Sequence, residues 1–463
     1  MKNRELNNLG VPKGEAMKIA GLAAREANSQ GWSKSEIRRT LRELILEPKK
    51  FASDSIFGNL SRILVAEKPP FIPRETPAPY KQWGEDLEEM SVTQMRRACD
   101  LPIAVRGALM PDAHLGYGLP IGGVLATRDT VIPYAVGVDI ACRVKMSIYD
   151  VPPDRALDGE VDRLRNILEG ETRFGIGAKF KSRRSHDVMD ADWSVTETTR
   201  RLKDKAWAQL GTSGSGNHFV EFGVFETEDP NLGLEAGRYL ALLSHSGSRG
   251  AGATIADHYS RIAMNEHPEL PKELRHLSWL ELSSEAGEEY WSAMSLMGEY
   301  ASANHDCIHR HVHKALGGQI LFDLENHHNF AWKETHDGEE LIVHRKGATP
   351  AGEGVLGIIP GSMATSTYVV RGKGSEASLN SSSHGAGRVM SRKKAKQTLT
   401  WSEAKKVLRS RGVNVISAGL DEVPMVYKNI DDVMEAQSDL VEPIGTFQPK
   451  LVKMAPSGEP PED

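Results

Sequence analysis

Apolar positions follow two different rhythms along this chain. Over residues 1–65 they recur at helical spacing. Ile37, Leu41, Leu44 and Ile45 fall at i, i+4, i+7 and i+8, which is one face of a helix. Ser33 precedes that run with Glu36 three residues on, a capping box in which each side chain satisfies the other's free backbone N–H. Residues 14–28 are alanine-rich and helix-prone. Five prolines then fall within 69–79 (KPPFIPRETPAP), which predicts a semi-rigid linker or an extended crossing strand. From about residue 100 the rhythm shortens. Glycine turns separate β-type runs at 121–151, 217–225 and 354–372, with helix-like stretches at 286–316 and 401–410. Strands and helices do not alternate as in βαβ units. The expected fold is therefore α+β, with largely antiparallel sheets and flanking helices. The expected organisation is a helical extension and proline-rich linker over 1–80, a main domain over 81–454, and a disordered tail over 455–463 (APSGEPPED).

Composition narrows the setting. No run approaches the 18 apolar residues of a membrane span, and the start MKNRELNNLG lacks the apolar stretch of a secretory signal. Three cysteines, Cys99, Cys142 and Cys307, are too few and too odd a set for a disulfide framework. A cytoplasmic monomer with no membrane partner is expected. The formal net charge of −6 argues against a sequence-blind nucleic-acid coat protein, which would be basic overall. Any nucleic acid must meet a local positive site.

The candidate chemistry lies in histidines that sit outside periodic faces. DAHLGYG (His114), GSGNHFVEF (His218), SHSGSRG (His245), ENHHNFAW (His327, His328), VHRKGAT (His344) and SHGAGR (His384) all place an imidazole beside small or polar turn residues. Glycine there lets backbone and ligand approach closely. A single histidine of this kind is more often structural than functional, but six such contexts in one chain shift the balance. In GVDIACRV, Asp139 and Cys142 are separated by two residues. A carboxylate, a thiolate and imidazoles suit manganese, iron, cobalt or zinc, and a thiolate can bridge two metals. The bland alternative is a buried cysteine packed as a small hydrophobe. HDCIHRHVH puts His305, His309 and His313 at i, i+4 and i+8 without the glutamate of an HExxH site, and reads as a polar helix face. In SSSHGAGRVMSR, the glycines and Arg388 suit a phosphate cradle. No GxxxxGK[ST] loop and no KxDG lysine occurs.

Together MPDAHLGYGLPIGG, VIPYAVGVDIAC, QLGTSGSGNHFVEF, HSGSRG, HHN, VHRKGAT, IPGSMATSTYV, HGAGRVMSRKKA and VYKNIDDV resemble, in order over about 105–454, the RtcB family of RNA ligases. The resemblance implies an enzyme that joins an RNA 3′-phosphate or 2′,3′-cyclic phosphate to a 5′-hydroxyl, using GTP and manganese. It implies that Asp139, Cys142, His218, His245 and His328 hold two manganese ions per active site, with the cysteine shared. His328 is taken over His327 because it directly precedes Asn329. His384 is implied as the nucleophile that becomes guanylylated, with Arg249 and Asp112 near the RNA ends. Asn217, Glu221, Ser362, Gly385, Ala386, Gly387, Arg388 and Lys453 are implied as guanine-nucleotide contacts, with His344, Arg345 and Lys346 supporting the same pocket. An archease-type activator is a further partner the family suggests.

The chain departs from the common family pattern in places. Arg143 follows Cys142 where glycine is frequent, Ser383 stands where many members have cysteine, and Ala364 replaces a usual glycine. Lys453 needs a one-residue shift, and the chain runs ten residues beyond it. Two other classes compete with a ligase. One is a metal-dependent phosphoesterase acting on RNA ends without guanylylation, which would have no need of a guanine site. The other is a non-catalytic RNA-end binder, which would have no need of all five metal ligands.

Overall fold

The computed structural model describes residues 1, 3–12, 15–65 and 71–460. It divides into two compact units, Met1–Phe71 and Ile72–Asp463. The first is helical, with helices Asn3–Asn8, Glu15–Ser29, Lys34–Leu46 and Gly58–Val65. The capping box at Ser33 is present in full: its backbone N–H donates to the Glu36 carboxylate at 2.8 Å, and its hydroxyl accepts from the Glu36 N–H at 3.2 Å. Behind it Ile37, Leu41 and Leu44 turn inward against Leu6, Ala20, Ala27 and Phe57. Prolines 69 and 70 of the expected linker lie outside the described residues. The rest of that segment runs into Tyr80–Gln82, a strand paired in parallel with Gly107–Leu109, so the second unit starts before residue 80.

The second unit is built on two large sheets, with two further two-stranded pairs among the described residues. One has five strands, ordered Tyr80–Gln82, Ala104–His114, Ile121–Thr127, Glu339–Lys346 and Asn329–His336. The other runs Leu356–Ile359, Thr367–Gly372, Val441–Met454, Phe219–Thr227, Gly237–Ser246, Arg143–Tyr149 and Ile320–His327, with Asn414–Ser417 added beside Val441–Met454. Pairing is antiparallel except at Tyr80–Gln82 and Asn414–Ser417. The α+β architecture with largely antiparallel sheets is thus as expected. Helix Glu285–Leu316 packs along the larger sheet; Ser284 caps its start, and Gly317, at φ 77°, ends it. Among the described residues no helix is long and apolar enough to cross a membrane.

His305 and His309 lie on a polar helix face, as read, and that face turns inward: both are buried under strand Gly237–Ser246. Two expectations need correction. The segment 455–460, expected to be disordered, is placed, with Ser215 donating to the Pro460 carbonyl at 2.7 Å; residues 461–463 lie outside the described residues. Lys453 turns away from the cavity described next.

Candidate active site

The register of the larger sheet gathers the candidate ligands at one end. Arg143 pairs with both Ser246 and His327, and His245 pairs with both Val144 and Phe219. The residues just beyond these pairs, Cys142, His218 and His328, therefore share one edge with His245. His328 is also the single residue between the last strand position of one sheet, His327, and the first of the other, Asn329. The site thus forms where the two sheets meet.

All five proposed ligands come together, and all are buried. Cys142 Sγ lies 3.1 Å from His245 Nε2 and 3.4 Å from His218 Nε2. His245 Nε2 and His328 Nε2 are 3.3 Å apart, and His218 Nε2 is 3.1 Å from an Asp139 oxygen. Cys142, His245 and His328 form one group of donor atoms within 4.8 Å of one another, and Asp139, Cys142 and His218 form a second, so the thiol belongs to both. The tautomers follow from the opposite ring nitrogens. His218 Nδ1 donates to the Ser213 carbonyl at 2.7 Å, and His245 Nδ1 to the Asn217 carbonyl at 3.2 Å. Each Nε2 then presents a lone pair toward Cys142. Burial, reinforced by the neighbouring His218 and His384, pushes the His245 imidazole down to about 3, and burial holds His328 well below its usual value. Burial alone would push the Asp139 carboxyl up, but His218 and Arg249 outweigh it and hold the group below its usual value. The Ser248 N–H, entering helix Arg249–Glu266, donates to the same carboxylate at 3.0 Å. Neutral imidazoles, a carboxylate and a shared sulfur with facing lone pairs fit a pair of borderline divalent cations.

His384 follows the short strand Ser381–Ser383, which pairs with Ala348–Pro350. Its Nδ1 donates to Asp112 at 2.7 Å, and its backbone N–H reaches the same oxygen at 3.2 Å. Asp112 is fully buried, so this carboxylate fixes the ring and leaves Nε2 as the base. The ring centroid lies 4.8 Å from that of His328. Gly387 sits at φ +73°, and a Cβ there would come within 2.1 Å of the Asp112 carbonyl, so only glycine lets the loop close on this strand.

A cavity of about 740 Å³ opens over His384. The five candidate ligands line it, as do Asn217, Glu221, Ser362 and the 385–388 loop. Burial pushes the Glu221 carboxyl well up. Arg388 donates to the Asp421 carbonyl at 2.7 Å and to Glu422 at 3.2 Å. Arg249 does not line this cavity. It lies behind His218, against Gly214, and lines a second cavity of about 380 Å³ that shares Asp139. Lys453 lines neither: its Nζ donates to the Leu168 and Thr172 carbonyls at 2.9 and 3.3 Å. His344 and Arg345 are locked inside the five-stranded sheet, the first by Ile132 and Leu125, the second by Glu334.

Cationic side chains given a lesser role or none in the sequence also line the main cavity: Lys346, Lys428 and Arg392. Burial lowers Lys346 to about 7. Lys428 Nζ donates to the Pro111 and Ala113 carbonyls, which flank Asp112. VYKNIDDV and HRKGAT carried these lysines as motif text; nothing in their spacing marked them as cavity-lining. Of the departures from the family pattern, Arg143 is buried in an ion pair with Glu325 at 2.7 Å, so it fills the core beside the candidate ligands.

Comparison with known proteins adds to the geometry. Residues 94–454 match the family model described as "tRNA-splicing ligase RtcB". The "RNA-splicing ligase RtcB" of Escherichia coli (strain K12) is 34% identical over 407 residues, covering 80% of this chain and 96% of that protein. The "tRNA-splicing ligase RtcB" of Nanoarchaeum equitans is 34% identical over 428 residues, covering 76% and 88%. The "RNA-splicing ligase RtcB" of Mycobacterium tuberculosis (strain H37Rv) is 32% identical over 430 residues, covering 77% and 98%.

Proposed function

This chain belongs to the RtcB family, and from that premise we propose that it is a GTP- and manganese-dependent RNA ligase. It joins an RNA 3′-phosphate, or a 2′,3′-cyclic phosphate once opened by water, to a 5′-hydroxyl. The observation that carries this reading is His384: its Nδ1 is held on buried Asp112 at 2.7 Å, and its ring stands 4.8 Å from that of the ligand candidate His328.

Asp139, Cys142, His218, His245 and His328 would hold the manganese ions, which when bound polarise phosphate oxygens and spread the charge that develops there. His384 Nε2 attacks the α-phosphorus of GTP. An N–P bond forms, the P–O bond to pyrophosphate breaks, and Asp112 stabilises the proton retained on Nδ1. The 385–388 loop offers backbone N–H groups to the phosphates. Asn217 and Glu221 hold the guanine. The Glu221 carboxyl, raised by burial, becomes the acceptor of the guanine N–H pair, and those donors favour its ionised form. An RNA 3′-phosphate oxygen then displaces His384 to give RNA(3′)pp(5′)G. The 5′-hydroxyl attacks the RNA phosphate and GMP leaves. Lys346 and Lys428, with Arg388 and Arg392 paired to Glu422, are the cationic groups of the cavity where these anions meet, and a phosphate beside Lys346 favours its charged form.

The test uses two oligoribonucleotides, one ending in a 3′-phosphate and one starting with a 5′-hydroxyl. The expected result is a joined product that needs both GTP and Mn²⁺. Opening of a cyclic phosphate with no joined product, under the same conditions, would favour a phosphoesterase and overturn the ligase.

A further inference from the structure

The loop Leu115–Gly118, between strands Ala104–His114 and Ile121–Thr127, combines a fixed backbone with exposed apolar side chains. Glu88 accepts from the Leu115 N–H at 2.8 Å. Gln94 bonds both Gly116 backbone groups, accepting at 3.1 Å and donating at 2.6 Å. Lys346 Nζ donates to the Tyr117 carbonyl at 2.5 Å. At Gly118, φ +73°, a Cβ would come within 2.8 Å of the His276 carbonyl. Yet Tyr117 is 65% exposed and Leu115 48% exposed, and both line the main cavity. A tethered loop that holds a large aromatic in solvent at the rim of a cation-lined cavity is prepared for a partner that the chain itself does not supply.

The ring does not stand alone. Tyr117 lies 5.7 Å from His276, and Tyr134 meets His276 edge-on at 4.6 Å. Tyr134 also lines the cavity. Burial, with nearby Lys346 and Arg275, holds His276 below its usual value, so a neutral imidazole backs the shelf. Planar π-faces beside Lys346 match a nucleobase attached to phosphate. The proposed guanine contacts Asn217, Glu221 and Ser362 come from the strands and turns of the eight-stranded sheet. Tyr117 comes from a turn of the five-stranded sheet, on the other wall.

We infer that Tyr117, backed by His276 and Tyr134, is a stacking shelf for the base of an RNA end beside the ligation junction. This rests on the RNA-ligase reading. Base stacking on an aromatic tolerates any sequence, so the shelf would grip an RNA end whatever its base.

The experiment uses the full chain with two oligoribonucleotides, one with 2-aminopurine as its 3′-phosphate terminal base and one with it as its 5′-hydroxyl terminal base. The wild type is expected to quench the fluorescence of one of them. Tyr117→Ala should lose that quenching and raise the KM for the same RNA about ten-fold or more. Tyr117→Trp should keep both near wild type, which a merely structural role would not require. Three results overturn the shelf: no quenching by the wild type, an unchanged KM in Tyr117→Ala, or a slower reaction of Tyr117→Ala with GTP alone, which would assign the ring to guanine. Failure of the ligase reading looks different. The wild type would then quench, and Tyr117→Ala would not, while no joined product forms.

Discussion

One strand, Gly237–Ser246, separates two clusters of buried histidines that do opposite things. Its alternation sends His245 to one face and Ser244 to the other. On the Ser244 side, His305 and His309 have every ring nitrogen paired. His305 bonds the Ser244 hydroxyl at 2.7 Å and the Ser246 carbonyl at 3.1 Å; His309 bonds Ser244 at 2.8 Å and Ser147 at 2.7 Å. On the His245 side, His218 and His245 each anchor Nδ1 on a carbonyl and turn Nε2 toward the Cys142 sulfur. His245 and His328 face each other nitrogen to nitrogen at 3.3 Å, and His328 Nδ1 has no hydrogen-bond partner among the described residues. Burial lowers the pKa of His305 and His309 as it does that of His245 and His328, so titration does not tell the two clusters apart. What differs is where the lone pairs end. A cluster that completes its own hydrogen bonds is framework; one that leaves acceptors converging is suited to a cation.

The largest expected effect breaks the comparison directly. Cys142→Ala removes the atom common to both donor groups, so bound manganese should fall to background and ligation should vanish with it. His309→Ala takes a partner from Ser147 and from Ser244 and leaves a cavity. It should cost about 2–4 kcal/mol of fold stability, while the folded protein keeps its wild-type manganese. Elemental analysis beside denaturant melts reads both variants, and equal metal loss in the two would erase the distinction.

A smaller effect sharpens it. Burial lowers His344 to about 4 and holds His305 and His309 well below their usual value. In the unfolded chain these rings take up protons near pH 6.5. Below that pH the unfolded state binds more protons than the native one, so stability falls as pH drops, by up to about 1.4 kcal/mol per pH unit for each such group. Above it these groups add no slope. Lys346, lowered to about 7, adds its own slope from roughly pH 8 to 7, and the histidines should make the melting temperature of metal-stripped protein decline further between roughly pH 6.5 and 5. A flat profile across that second window would mean that the framework histidines are not neutral.

Much of this was legible in the sequence where local chemistry sets the outcome. The Ser33–Glu36 box and the Ile37, Leu41, Leu44 stripe depend only on neighbours along the chain, and both appear as read. The two sheets follow from strand runs without a crossover rhythm. The histidines beside glycine or asparagine converge because turns at the sheet edge need small residues and ligands need close approach. What was not legible depends on facing. The i, i+4, i+8 spacing of His305, His309 and His313 says that they share a helix side but not which side is inward. Lys453 sits after an irregularity between Pro449 and Leu451 in the pairing of Val441–Met454 with Phe219–Thr227. A one-residue slip in a strand moves every side chain to the other face, so Val452 and Met454 reach the cavity and Lys453 does not. Tyr117 carries no chemical signal in a motif; only its exposure on a tethered loop marks it.

The central claim is that His384 is the group that takes the guanylate, because Asp112 orients it beside the cation-binding cluster. Intact-mass measurement after incubation with GTP and Mn²⁺ tests this most directly. The wild type should gain one GMP in an acid-labile linkage, and His384→Ala should gain none. An unmodified wild type under metal-replete conditions, or a His384→Ala protein that still gains GMP, would contradict the account.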